Sequence, residues 1–238
     1  MIHTYNEYHL GDNLIHLHYL RKACEQNVDL AFTHHCNVAH HDQLTPLLED
    51  MPIELADLMI PPHSINAWIG DKNFFYNHPD RGDWVKLHLD WFDNLSNTIE
   101  IPSPMACKED FLFDYPALKN RGWSAFDYLI INSPPMSNQL PSYTPEFFHA
   151  RVKDLCNKGF KVITTHPTGM TNCTLDWGLS VTGIGQLSQV CHRIEGIDTG
   201  PLWTTHNVWN QDTVISRVIY TNEAKPYLSK NTVVLDKV

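Results

Sequence analysis

The sequence predicts an α/β protein built from two Rossmann-like domains that face a central cleft. Three observations lead to this prediction. Strand-forming and helix-forming segments alternate along the 238 residues. The alternation starts again in the second half, after a Pro-containing stretch. Turn residues follow the predicted strands in both halves, where open parallel sheets place their ligands. We expect a first domain over residues 1–115 and a second over 116–238.

The first half opens as a βαβ unit. Residues 2–8 predict a strand, 14–25 a helix with apolar residues at helical spacing, and 28–33 a second strand. Gly11, Asp12 and Asn13 fall in the predicted turn between the first strand and the helix. Asp12 has two open roles there, as the N-cap of the helix or as a general base facing a cleft.

The rest of the first half is less regular. We expect a short helix at residues 42–50, a strand at 53–60 and a helix at 83–95, with an interdomain linker at 99–125. Between them, residues 63–81 form an aromatic-rich segment that includes Trp68. This segment either stacks on an acceptor sugar or simply packs beneath a long loop.

A histidine cluster comprising His34, His35, His40 and His41 raises the question of a metal site. The adjacent pairs project in different directions, and no H-x-x-x-H or H-E-x-x-H spacing places two imidazoles on one helical face. We therefore expect a loop of solvated or hydrogen-bonded histidines and no metal site. A metal-binding α/β protein is kept as an alternative.

The second half repeats the alternation. Residues 126–132 predict a strand, and a helix follows from an N-cap at Thr144 to residue 157. Residues 160–165 predict the next strand, which His166, Thr168 and Gly169 leave as a loop. Residues 179–209 then predict a strand, a Gly-containing turn, a helix, a strand and a further helix. A last strand is expected at 214–220, with a tail at 226–238 that returns to the first domain.

A sharp turn of Asp198, Thr199, Gly200 and Pro201 opens the last of these helices. Gly200 supplies conformational freedom and Pro201 suits a first helical position. A helix start presents backbone N–H groups and the positive end of the helix dipole, so this turn predicts an anion site best suited to phosphate.

Composition limits the classes of partner. The formal net charge is −10, from 17 Lys and Arg against 27 Asp and Glu, which disfavours nucleic acid and anionic membranes. No apolar run approaches the roughly 20 residues of a membrane span, and the N-terminus does not look like a signal peptide. Six cysteines without a C-x-x-C pair suit reduced thiols. We expect a cytoplasmic protein without a transmembrane segment.

Three motifs together resemble the lipopolysaccharide heptosyltransferases, which are inverting glycosyltransferases of the GT-B fold. The first is G-D followed by Leu, at Gly11, Asp12 and Leu20. The second is K-G-F-x-V at residues 158–162. The third is a helix with Gly183, Leu187 and Val190 that leads into the D-T-G-P turn at residues 198–201.

The resemblance implies roles for individual residues. Asp12 would be the general base that deprotonates the acceptor hydroxyl, with Gly11 and Asn13 beside it on the acceptor side. The donor nucleotide sugar would be bound by Ser133, His166, Thr168, Gly169, Gly183, Asp198, Thr199, Gly200 and Pro201. Neither a metal nor a resident cofactor is implied, and the partners are a nucleotide sugar and a glycan or other hydroxyl acceptor.

Two departures from the family pattern leave a second alternative open. Trp203 stands where the family usually has His, and Ser133 is followed by Pro134 and Pro135 where the family often carries Lys or Arg. The chain is therefore either an active transferase or a GT-B relative, non-catalytic or epimerase-like, that binds a nucleotide or a glycan. A classical dinucleotide enzyme is disfavoured because no G-x-G-x-x-G follows the first strand.

Overall fold

A computed structural model describes residues 1–69, 72–80, 84–134, 145–197, 199–210, 213–218 and 232–235. The described residues fall into two compact units. One contains those of Met1–Phe113, and the other contains those from Asp114 onward. Each unit has its own parallel β-sheet, so the predicted α/β class with parallel sheets is confirmed.

The first unit is built on a four-stranded parallel sheet with strand order β3-β2-β1-β4. Its strands are β1 (Ile2–Asn6), β2 (Phe32–Cys36), β3 (Ile53–Asp57) and β4 (Ile65–Asn66). Its helices are α1 (Leu10–Gln26), α2 (His41–Leu44), α3 (Lys72–Phe75) and α4 (Trp84–Ile99), with 3₁₀ turns at Val38–His40, Thr45–Leu47 and Lys108–Phe111. Strands β2 and β3 are added on one side of β1, and β4 is added on the other side. The switch point of the first sheet therefore lies between β1 and β4.

The second unit is built on a five-stranded parallel sheet with strand order β6-β5-β7-β8-β9. Its strands are β5 (Phe126–Ile131), β6 (Val162–Thr164), β7 (Cys191–Ile197), β8 (Val214–Val218) and β9 (Thr232–Leu235). Its helices are α5 (Pro145–Asn157), α6 (Val181–Ser188) and α7 (Gly200–Thr205), with 3₁₀ turns at Pro116–Leu118 and Val208–Asn210. This is the 2-1-3-4-5 order of flavodoxin-like sheets, whose switch point lies between the strands equivalent to β5 and β7.

Both faces of the second sheet are covered. Successive residues of a strand point to opposite faces. Leu129 and Ile131 accordingly pack with Ile184 of α6 on one face, while Ile130 packs with Phe148 of α5 on the other. The second unit is thus a three-layer α/β structure with its central strands shielded from water.

Strands β5 and β7 approach very closely near their carboxyl ends. Gly196 pairs with Ile131, and a Cβ atom on Gly196 would lie 2.5 Å from the Cβ of Ile131. Real Cβ atoms do not come so close, so the register at this point requires glycine. The contact between Gly196 and Ile131 fixes the separation of β5 and β7 immediately before the loops that carry the predicted donor residues.

Two boundaries predicted in the first unit are wrong. Helix α1 begins at Leu10, so Gly11, Asp12 and Asn13 lie in its first turn and not in a preceding loop. His9 is the N-cap residue, and the N-cap role considered for Asp12 is therefore wrong. Strand β2 begins at Phe32 where 28–33 was predicted. His34 and His35 are consequently strand residues, and the predicted histidine loop is corrected for these two.

Three expectations for the later part of the chain also change. The short strand predicted from residue 179 is wrong, because Ser180 caps α6 directly and its hydroxyl accepts a hydrogen bond from the Gly183 amide at 3.3 Å. Residues 232–235 of the expected tail form β9, which adds to the second sheet. The segment expected as a linker buries large side chains, among them Phe113 and Tyr115. Thr144 lies outside the described residues.

Candidate functional site

The carboxyl edge of the second sheet gathers most of the predicted donor residues. Ser133 follows β5, His166 follows β6, and Thr199 and Gly200 follow β7. These three strands are neighbours in the sheet, with β5 in the middle. Because all three are parallel, their carboxyl ends lie along one edge. This edge contains the switch point, where open α/β sheets bind ligands.

Asn132 ties the ends of β5 and β6 together. Its side-chain oxygen accepts hydrogen bonds from the His166 amide at 2.8 Å and from the Thr165 hydroxyl at 3.1 Å. Its side-chain nitrogen donates to the His166 carbonyl at 3.1 Å. Ser133 adds a hydroxyl contact to Thr165 at 2.9 Å. Two of the predicted donor residues, Ser133 and His166, are therefore held in one network of side-chain hydrogen bonds.

Helices α6 and α7 pack against each other beside this edge. The Thr204 hydroxyl donates to the Val181 carbonyl at 3.0 Å, which joins α7 to the first turn of α6. The two helices come close together at Gly185. A Cβ atom at this position would lie only 3.1 Å from the Thr204 carbonyl oxygen. Gly183 in α6 and Thr199 and Gly200 at the start of α7 therefore belong to two helices that are in direct contact.

The start of α7 differs from the row of free backbone amides that the turn predicts. Thr199 is the N-cap residue, Pro201 has no N–H, and the Leu202 amide donates to the Thr199 carbonyl at 2.9 Å. In the first turn this leaves the Gly200 amide, for which no partner exists among the described residues. Asp198, the fourth member of the turn, lies outside the described residues.

Several polar atoms on this side of the second unit are buried and have no hydrogen-bond partner among the described residues. They are His166 Nδ1, Thr168 Oγ1, Thr182 Oγ1 and Thr199 Oγ1. Burial lowers the pKa of His166, so its ring is neutral at pH 7. Gly169 adopts a left-handed conformation, with φ of 73°, in the same loop. Neutral donors and hydroxyls therefore dominate the edge, and no lysine or arginine follows β5 at Ser133 and Pro134.

The first unit presents a different set of groups at the carboxyl edge of its sheet. Asp12 is partly exposed in the first turn of α1, and a carboxylate there complements the positive end of the helix dipole. Gly11 and Asn13 beside it are buried. Asn13 fastens the turn, since its side-chain nitrogen donates to the His9 carbonyl at 3.0 Å.

A buried chain of polar groups lies behind this turn. The side-chain oxygen of Asn13 is an acceptor, so the contact of 2.9 Å with His34 Nε2 requires that this nitrogen carry the proton. The other ring nitrogen, Nδ1, then accepts from the Thr4 hydroxyl at 2.9 Å. Burial lowers the pKa of His34 to about 3, in agreement with the neutral ring. Asn6 donates in the same way to Nδ1 of the fully buried His16, at 2.7 Å.

The two strands at the switch point of the first sheet end in the same local structure. The side chain of Asn6 accepts from the Tyr8 amide at 2.9 Å after β1, and the side chain of Asn66 accepts from the Trp68 amide at 2.9 Å after β4. Each bond closes an Asx turn. The aromatic residues that follow stack on each other, with ring centroids 3.4 Å apart and an interplanar angle of 23°.

Two members of the histidine cluster, His34 and His35, are held by hydrogen bonds within the first unit. Both ring nitrogens of His34 are engaged as described above. His35 contacts His3 at 3.1 Å through Nε2 and donates from Nδ1 to the Asp57 carbonyl at 3.1 Å. The expectation of hydrogen-bonded histidines thus holds for these two, although they lie in a buried strand.

Among the described residues, the one group with metal-ligand spacing is His78, Asp80 and Asp90. His78 donates from Nε2 to Asp90 at 3.0 Å and accepts the Asp80 amide at Nδ1, at 3.1 Å. The Lys86 ammonium contacts both carboxylates. The imidazole has no available lone pair and a cation already lies between the acids, so this group is an ion-pair cluster.

Sequence reasoning missed several residues that organise these edges, namely Asn132, Thr165, Tyr8, Asn6 and Asn66. A signal for part of this set was present, because the pattern Asn, any residue, aromatic occurs after both β1 and β4. The predicted donor residues other than Asp198 lie in the second unit and the predicted acceptor-side residues lie in the first. No helix in the described part of the chain has the length and apolar character needed to cross a membrane.

Comparison of the chain with known proteins gives matches at the level of structure only. No known family and no curated sequence matches. The E. coli heptosyltransferase WaaC, solved with ADP-2-deoxy-2-fluoro heptose, matches with a TM-score of 0.59 and 11% identity over 98% of this chain and 92% of that chain. A glycosyl transferase of family 9 from Veillonella parvula matches with 0.56 and 12%, over 98% and 85%.

A third similar structure is the dodecameric iron-containing heptosyltransferase TibC, solved with ADP-D-beta-D-heptose. It matches with a TM-score of 0.58 and 12% identity, over 98% of this chain and 61% of that chain. At such identities the likeness concerns the fold. The resemblance expected from the sequence motifs is confirmed at that level, and the chain has a GT-B, heptosyltransferase-like fold.

Proposed function

We propose that this chain is a glycosyltransferase that transfers a sugar from a nucleotide-activated donor to an acceptor hydroxyl. The observation that carries the proposal is the position of Ser133, His166, Thr199 and Gly200. They follow three neighbouring strands at the carboxyl edge of a flavodoxin-like sheet, the edge that contains its switch point, in a chain that aligns over nearly its whole length with heptosyltransferases. The similar structures include complexes with ADP and with ADP-linked heptose.

The second unit binds the donor in this proposal. The Thr199 hydroxyl and the Gly200 amide donate to the diphosphate, and Asp198 precedes them in the same turn of the sequence. Ser133, His166, Thr168, Gly169 and Gly183 line the same edge, and Pro201 fixes the start of α7. Neutral donors suit a diphosphate because they stabilise the charge that develops on the leaving group without a competing counter-ion. The buried hydroxyls without partners supply such donors.

The first unit supplies the base. Asp12 takes the proton of the acceptor hydroxyl as its oxygen attacks the anomeric carbon, and the bond from that carbon to the diphosphate breaks with its electron pair on the phosphate oxygen. A single displacement of this kind inverts the anomeric configuration. It requires the two sheet edges to face each other across a cleft, which is part of the proposal. Gly11 and Asn13 position Asp12 through the first turn of α1.

The reaction proceeds without a metal in this proposal. A chelator separates this from metal-assisted transfer, which matters because one similar structure is named iron-containing. Nucleoside diphosphates should raise the melting temperature in the presence of EDTA, since a ligand that binds only the folded state stabilises it. A shift that appears only after a divalent metal is added would contradict metal independence. No shift with ADP, UDP, GDP or CDP would contradict the proposed function.

Matched variants locate the site. Thr199→Val should reduce the shift because it removes one donor to the diphosphate at nearly constant side-chain volume. Thr98→Val is the control, since Thr98 is exposed on α4 and bonds only within its helix, at 2.9 Å to the Asn94 carbonyl. Equal nucleotide shifts in the two variants would place the diphosphate elsewhere.

The second candidate function is a GT-B relative that binds a nucleotide or glycan without transfer. It is favoured by the missing cation after β5 and by Trp203, which is buried in α7 where the family pattern has His. A nucleotide sugar panel distinguishes the two. An active transferase should release nucleoside diphosphate in an acceptor-dependent manner, and Asp12→Asn should keep the nucleotide shift while losing turnover. A nucleotide shift without turnover on any donor would favour the second candidate.

A further inference from the structure

The net negative charge of the molecule is concentrated in residues 1–113. Residues 1–113 contain 6 Lys and Arg against 17 Asp and Glu, a net charge of −11, whereas residues 114–238 contain 11 against 10, a net charge of +1. The unit that carries the predicted general base is therefore strongly anionic, and the unit that carries the predicted diphosphate site is close to neutral. The negative charge of the first unit repels anionic ligands, whereas the nearly neutral second unit does not.

Two of the basic side chains in the first unit, Arg21 and Lys86, are paired with acids. Arg21 forms a bidentate pair with Asp50, at 2.9 Å for both bonds. It follows Asp12 by nine residues on α1, a separation of about 14 Å along the helix axis. Lys86 lies between two carboxylates. Both of these cations are thus already paired with carboxylates of the same unit.

The same edge presents aromatic surface instead. Tyr8 and Trp68 stack face to face at the ends of β1 and β4, and both rings are partly exposed. Their backbones are fixed by the two Asx turns, so the rings are held in place before any ligand binds. Asp12 follows Tyr8 by four residues in the sequence, and the neighbouring Asn13 side chain donates to the Tyr8 carbonyl at 3.4 Å.

We propose that the acceptor is an uncharged sugar whose apolar face stacks on the Tyr8 and Trp68 pair, next to Asp12. Aromatic rings bind the C–H face of a sugar by dispersion and by the negative potential of the ring, and neither interaction needs a cation in the site. Rejection of anionic acceptors then comes from the net charge of −11 on residues 1–113. The inference rests on the proposed function, because it assigns the acceptor class to the base that Asp12 provides.

The test measures glycan binding and nucleotide binding separately on the full-length chain. Saturation-transfer NMR is recorded with a set of neutral methyl glycosides of glucose, galactose, mannose and N-acetylglucosamine. The same sugars bearing a phosphate, together with glucuronic acid, form the anionic set. Thermal shift with ADP, UDP, GDP and CDP is measured in parallel. We expect transfer signals from at least one neutral glycoside, strongest at its ring C–H protons, and at least tenfold weaker binding of its phosphorylated counterpart.

Variants connect the signal to the stacked pair. Trp68→Ala and Tyr8→Ala should each weaken binding of the neutral glycoside at least fivefold and leave the nucleotide shift unchanged. Trp68→Phe should keep part of the binding, which guards against a folding defect in the alanine variant. Trp177→Ala is the matched control, because Trp177 belongs to a second partly exposed stack, with Trp123 at 5.8 Å, in the other unit. It should leave glycoside binding unchanged.

The outcomes separate the two proposals. Loss of every nucleotide shift contradicts the proposed function, whatever glycan binds. The acceptor inference is overturned if a phosphorylated sugar binds better than its neutral counterpart, if no neutral glycoside binds, or if Trp68→Ala and Trp177→Ala have equal effects. A neutral glycoside that binds through the stacked pair in the absence of any nucleotide shift would support an aromatic glycan site while removing the transferase.

Discussion

Replacement of Asn132 by Ala tests how the second unit builds its edge. The Asn132 side chain makes three hydrogen bonds, at 2.8, 3.1 and 3.1 Å, to Thr165 and to both backbone groups of His166. Asn132 is 5% exposed, so water cannot fully replace them. At about 1 kcal/mol for each net hydrogen bond, the variant should lose about 3 kcal/mol of unfolding free energy. That is a large share of the roughly 5–15 kcal/mol by which domains are stable.

The functional consequence follows from the same bonds. Without Asn132 the loop that begins at His166 loses its connection to β5, so the Asn132→Ala variant should also lose most of the nucleotide shift. Urea unfolding followed by tryptophan fluorescence measures the stability, with Trp123 and Trp177 as the reporters of the second unit beside the tryptophans of the first. Thermal shift with ADP, UDP, GDP and CDP measures binding.

A second asparagine in the same unit provides the control. The Asn120 side chain accepts from the Gly122 and Trp123 amides, at 3.1 Å each, in a less buried turn. Asn120→Ala should cost about 1 kcal/mol or less, since water can reach the exposed groups, and should keep the nucleotide shift. The reasoning is refuted if Asn132→Ala loses less than about 1 kcal/mol and binds nucleotide as the wild type does.

Three further predictions concern packing, pH and charge. Gly196→Ala should destabilise the second unit by about 2–3 kcal/mol, because the new Cβ overlaps that of Ile131. Adding Ile131→Ala should not restore the stability, because alanine keeps the Cβ at position 131. Restored stability in the double variant would contradict the proposed contact. His34 has a folded-state pKa of about 3 against 6.5 when unfolded, so the unfolded chain binds the extra proton in acid. The stability contributed by neutral His34 should be present above pH 6.5 and lost toward pH 3, by about 2 kcal/mol at pH 5. Urea midpoints of wild type and His34→Gln should converge as the pH falls, and a constant difference would contradict the buried neutral ring. Glu195→Ala should cost about 2 kcal/mol, because it leaves the partly buried Arg151 without its bidentate partner; a salt-independent loss below about 0.5 kcal/mol would show that the pair contributes little.

The elements that local sequence signals define were predicted well. Helix α5 ends at Asn157 as expected, because a lysine and a glycine follow an amphipathic run. Strand β5 was expected at 126–132 and occupies Phe126–Ile131, since it is apolar and bounded by a Pro-containing turn. The turn at Gly200 does open a helix. In these places propensity, capping and hydrophobic pattern indicate the same structure.

The errors occur where long-range contacts decide the structure. Strand β2 contains His34 and His35, which hydropathy classes as polar, and it is stabilised by Thr4 and Asn13, which lie 30 and 21 residues away in sequence. Nothing within a local window indicates those partners. Strand β9 depends in the same way on pairing with β8.

The start of α1 was misplaced for a local reason. Glycine is typical of turns, so Gly11 predicts a turn, but it lies inside α1. The Asn13 side chain donates to the His9 carbonyl and so stabilises the first turn of the helix. The correction changes the chemistry of Asp12, which is a first-turn residue of the helix and not its cap. Its proposed role as a base is compatible with the observed position, because its side chain is partly exposed.

The central claim is that a nucleoside diphosphate binds at the carboxyl edge of the second sheet, and amide hydrogen exchange tests it most directly. Exchange of the full-length chain is compared with and without the nucleoside diphosphate that gives the largest thermal shift. We expect slowed exchange in peptides that cover residues 131–134, 164–169 and 199–205. Exchange in residues 1–113 should be unchanged except near Gly11, Asp12 and Asn13. Protection confined to residues 1–113, or absent from all three segments, would contradict it.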